Sequence, residues 1–148
     1  MQRSHFQQAG RGLLFSINLS EFVINPFTDK SYFDYEKFKE VIRIAVKAMN
    51  DVLDEGLPLH PLQEQRDSGR DWRQIGIGVM GIADMLIKMQ LRYGSEESMK
   101  LCDTIASVLI DKSIYYSSEL AKEYGAYPKC NKELHLKNNF LNENTNEE

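Results

Sequence analysis

Between Asp34 and Gly56 the stretch DYEKFKEVIRIAVKAMNDVLDEG sets Phe38, Val41, Ile42, Ala45, Met49, Val52 and Leu53 on one helical stripe. Lys37, Glu40, Arg43, Lys47, Asn50 and Asp54 fall opposite. A helix this long with one apolar face must lay that face on another layer, so whatever the chain folds into is layered. Gly56 and Pro58 stop it. A second long helix opens at GSEES, with Ser95 as N-cap and Glu96 and Glu97 in the electropositive first turn. Met99, Cys102, Ile105, Ala106, Leu109, Ile110, Ile114 and Leu120 trace its buried side as far as Gly125. At about thirty residues it exceeds the usual globular helix.

Ahead of the first helix, LLFSINLSEFVI is apolar with small polar interruptions, and NPFTDK closes it with turn-formers. It reads as one buried strand. After the first helix, LHPLQEQRDSGRDWRQ is charged and irregular, with one short helical turn from Pro61. It runs into GIGVMG at residues 76–81, the G-x-G-x-x-G spacing of dinucleotide-binding turns. That mechanism needs a buried strand entering the first glycine and an acid at a second strand tip. The charged approach supplies no such strand, and Glu96 and Glu97 belong to a helix start. With Ile82, Met85, Leu86 and Met89 continuing at helical spacing, the pattern predicts a helix over 75–90. Its glycines at 76, 78 and 81 then serve the close approach of a neighbouring backbone. Residues 1–12 read as a polar tail, 13–130 as the folded domain and 131–148 as a loosely held tail rich in Asn and Glu. The expected fold is mainly α, with three or four helices and one strand.

The formal net charge of −4 over 148 residues supplies no positive field for nucleic acid or an anionic membrane. No apolar run reaches the roughly 20 residues of a membrane span, and MQRSHFQQAGRG lacks the apolar core of a secretory signal. Cys102 and Cys130 form no C-x-x-C, which points to a reduced, cytoplasmic setting. Cys102 lies on an apolar stripe and reads as a small buried hydrophobe, Cys130 in PKCNK as a surface thiol. His5, His60 and His135 share no helical face, so no metal site is expected. Arg66, Arg70 and Arg73 alternate with Glu64, Asp67 and Asp71, the pattern of a solvated face or an ion-pair network rather than a phosphate site. The residues taken singly give no catalytic constellation.

Taken in order they are more specific. SINLSEFV (16–23), FDYEKFKEVIRIAVKAMNDVLDEGLPLHPLQEQR and RDWRQIGIGVMGIADMLIK together resemble the C-terminal half of the catalytic large subunit of ribonucleotide reductase, from about residue 13 to at least 128. LKNNFLNENTNEE looks like its continuation. The resemblance implies a fragment of a ten-stranded α/β barrel that converts ribonucleotides to deoxyribonucleotides by thiyl-radical chemistry. It implies a radical cysteine on a finger loop, a nearby glutamate and asparagine, and two reducing cysteines. The radical comes from a small subunit or from adenosylcobalamin, and the wording here is most like the bacterial adenosylcobalamin-dependent branch. The finger-loop pattern Asn-x-Cys-x-Glu and the phosphate loop are absent from this sequence. Gly12 occupies the position of a family redox cysteine. The opening MQRSHFQQAGRG accordingly reads as a truncated or displaced frame.

This reading expects a partial catalytic subunit, inactive alone, binding no cofactor itself and partnered by the remaining segments of a reductase barrel. The competing reading is a small helical interaction module or remnant without enzymatic activity.

Overall fold

A computed structural model of the chain describes residues 13–144, with side chains as far as Leu141. Strand β1 (Leu13–Asn18) runs into a 3-10 turn at Leu19–Phe22, followed by the short strands β2 (Val23–Ile24) and β3 (Tyr32–Phe33), which pair antiparallel. Asn18 caps the 3-10 turn, its Oδ1 accepting from the Ser20 amide at 3.2 Å. Helix α1 (Tyr35–Gly56) begins where Asp34 accepts from the Lys37 amide at 3.0 Å.

Helix α2 (Gln63–Trp72) then leads into strand β4 (Ile75–Met80), helix α3 (Ile82–Lys88) and helix α4 (Glu96–Tyr124). The short helices α5 (Lys132–Leu136) and α6 (Asn139–Asn144) follow.

Two sequence expectations are corrected. GIGVMG is a strand, not the start of a helix: β4 pairs parallel with β1, Leu13 opposite Ile75 and Asn18 opposite Met80. The reason is the odd-numbered series Ile75, Ile77 and Val79, which alternates with small residues at the strand period of two. Gly81 marks the break, with φ 74° in the left-handed region, and the helix starts only after it. The fold also has four strands and six helices among the described residues rather than one strand and three or four helices. LLFSINLSEFVI splits at the 3-10 turn, and the turn from Pro61 grows into the ten-residue α2.

A parallel pair needs a long crossover, and here α1 and α2 supply it. α1 packs on both strands and along α4. Phe38 and Ile42 are fully buried on α1 beside Ala45, Val46, Met49 and Leu53. They meet Ile17, Leu19, Phe22, Phe33, Met85, Leu86 and Ile105 in one core. The Phe38 ring stands edge-on to Phe22 and Phe33, with centroids at 5.2 and 5.4 Å. The α1 stripe is rotated slightly from the predicted one: Val46 is buried and Val52 exposed.

On α4 the capping by Ser95 and the stop at Gly125 stand as expected. Its burial is shallower, for Ile105 is enclosed while Met99 and Ala106 are exposed and Cys102, Leu109 and Leu120 are only partly covered. No helix among the described residues is long and apolar enough to cross a membrane.

Candidate functional site

The β1·β4 ladder sorts its residues between two faces. In a strand, alternate side chains point to opposite sides, so Leu13, Phe15, Ile17, Ile75, Ile77 and Val79 share one face. Ile17, Ile75, Ile77 and Val79 belong to or pack against the core, so this is the face that α1 covers. The other face carries Leu14, Ser16 and Asn18 opposite Gly76, Gly78 and Met80. Leu14 is 87% exposed and Met80 54%. Parallel sheets are ordinarily covered on both faces, and here one is bare among the described residues.

The glycines belong to that bare face and to its end. A Cβ on Gly76 would meet Leu14 Cδ2 at 2.7 Å, a flexible exposed side-chain tip, whereas one on Gly78 would find Ser16 Oγ no nearer than 3.7 Å. Gly81 is different. A Cβ there would press into Asn18 Oδ1, the atom that caps the 3-10 turn, and φ is 74°. The expected close approach of a neighbouring backbone is not what these glycines meet: the nearest β1 backbone atoms stand at 3.7 and 3.8 Å from a Cβ on Gly76 and Gly78, an ordinary contact, and Gly81 alone demands glycine, against a side chain and at positive φ. The phosphate-cradling geometry is not formed, because Gly76 and Gly78 lie inside the strand instead of in the turn after it.

At the opposite end of β4, Arg73 adopts φ 46° and turns its guanidinium back onto α1. It donates to both Asp54 oxygens, at 2.5 and 2.9 Å, and to Asn50 Oδ1 at 3.2 Å. This bidentate bond holds the Asp54 carboxyl below the ordinary carboxylate range and raises Arg73. Arg70 pairs with Asp67 and Asp71. The mixed-charge segment is therefore an ion-pair network, and its best-formed bond reaches Asp54 on α1, which sequence spacing did not indicate.

Beside it lies a cleft of about 580 Å³ lined by Trp72, Arg73, Leu120, Tyr124 and Tyr127 among others. No histidine or cysteine lines it. The Lys129 amide donates to the Asp71 carbonyl at 3.1 Å and fastens the segment after α4 to α2.

Cys102 is partly buried on α4 and Cys130 exposed, both as free thiols. His60 accepts from the Leu62 amide at 3.3 Å, and His135 Nε2 sits 2.8 Å from the Tyr127 hydroxyl. The structure brings neither together with the other. His5 and Gly12, the position of the family redox cysteine, lie outside the described residues. No group of three His, Cys, Asp or Glu side chains arranged for a metal ion occurs among the described residues.

The sequence matches the family described as "Ribonucleotide reductase, barrel domain" over residues 4–147. The chain belongs to that family. It is 36% identical over 113 residues to the vitamin B12-dependent ribonucleoside-diphosphate reductase of Thermoplasma acidophilum, covering 76% of this chain and 14% of that protein. It is 38% identical over 112 residues to the ribonucleoside-diphosphate reductase subunit alpha of Chlamydia pneumoniae, covering 76% of this chain and 10% of the relative. The corresponding large subunit of Danio rerio is 34% identical over 111 residues, covering 74% of this chain and 14% of that subunit.

The chain therefore corresponds to a part of a ribonucleotide reductase catalytic subunit, spanning about a tenth to a seventh of these relatives' length. The described residues form a barrel-family segment with two parallel strands and no closed barrel.

Proposed function

We propose that this chain supplies two neighbouring strands and their helical layer to the catalytic barrel of a ribonucleoside reductase, and reduces no nucleotide by itself. The observation that carries this reading is the half-covered sheet: α1 closes one face of β1·β4, while Leu14, Ser16, Gly78 and Met80 stay exposed on the other and Gly76 is only partly covered. In a barrel that second face turns inward. Small residues there leave room for what the barrel encloses, which accounts for Gly76 and Gly78 better than helix packing does.

The chemistry proposed for the assembled barrel is thiyl-radical reduction of the ribose, with the radical cysteine, its acid–base partners and the reducing thiols furnished by other segments. Of the two radical sources we favour adenosylcobalamin, on the resemblance of the stretch as a whole to that branch and the naming of the Thermoplasma relative. The remaining reductase segments are the proposed partners and the cytoplasm the proposed compartment.

The test is complementation. A reductase large subunit lacking the corresponding segment is mixed with the purified chain, and reduction of labelled ribonucleotide and co-elution are followed with and without adenosylcobalamin. Co-elution with the shortened subunit and no turnover by the chain alone are expected. Turnover by the chain alone, or no co-elution at any ratio, overturns the reading.

A further inference from the structure

We draw no further inference here: the strongest candidate, the cleft of about 580 Å³ between α1, the end of α2 and the end of α4, carries none, because the charged side chains that line it pair within the chain and nothing in the structure shows what covers it.

Discussion

The two faces of one small sheet are built from alternate residues of the same strands, yet they differ in what covers them. Under α1, Ile17 and Val79 meet Phe38 and Ile42 in a closed core. On the reverse, Leu14 stands 87% exposed over Gly76. The first face resembles the interior of a finished domain and the second a surface awaiting a neighbour. A sheet of this kind is stable on one side by its own residues and is completed on the other only by association.

Substitutions on the two faces should therefore have very different consequences. The largest loss is expected for Phe38→Ala, which empties a fully buried site and should cost about 3–5 kcal/mol, measured by urea unfolding. The mirror change Leu14→Ala on the bare face should stay within about 0.5 kcal/mol. An equal cost for both would abolish the distinction.

Next comes Gly81→Ala, where a methyl meets Asn18 Oδ1 at a positive φ. About 1–3 kcal/mol of destabilisation follows from the strain, and thermal unfolding would read it. Gly78→Ala reverses the sign. With ordinary contacts and no positive φ, alanine should stabilise by about 0.4–1 kcal/mol through the unfolded chain. A destabilised Gly78→Ala would mean that something already occupies the bare face.

The smallest effect is electrostatic. Asp54 has its folded pKa lowered by Arg73, so the bond's contribution is present above the ordinary Asp pKa and is lost as pH falls through the lower folded value. Both partners are partly solvated, and about 0.5 kcal/mol is expected. Unfolding midpoints of Asp54→Asn should begin to approach those of the parent as pH falls below about 4 and converge only below the lowered folded value. A constant difference down to the acid limit would assign the bond no role.

Much of this was legible in the sequence. The caps at Asp34 and Ser95 and the stop at Gly125 mark the two long helices, because local hydrogen-bonding chemistry fixes helix ends. The family was legible from the order of short motifs that are individually weak. The strand at GIGVMG was not, because apolar residues at 75, 77 and 79 followed by 82, 85 and 86 satisfy the helical period from 75 onward almost as well as a strand and a helix joined at Gly81. Only the partner strand, far away in sequence, decides between them. The Arg73–Asp54 bond was hidden for the same reason: nineteen residues and a turn separate its ends.

Amide hydrogen exchange along 75–80 tests the central claim most directly. In a strand paired only with β1, Gly76 and Gly78 face the ladder while Ile77 and Val79 face its open side. Protection should alternate, with the two glycine amides slow and those of Ile77 and Val79 fast. Protection that instead rises continuously from Val79 through Gln90 would be the signature of a helix begun at Ile75, and would contradict the parallel sheet on which the assignment of the two faces depends.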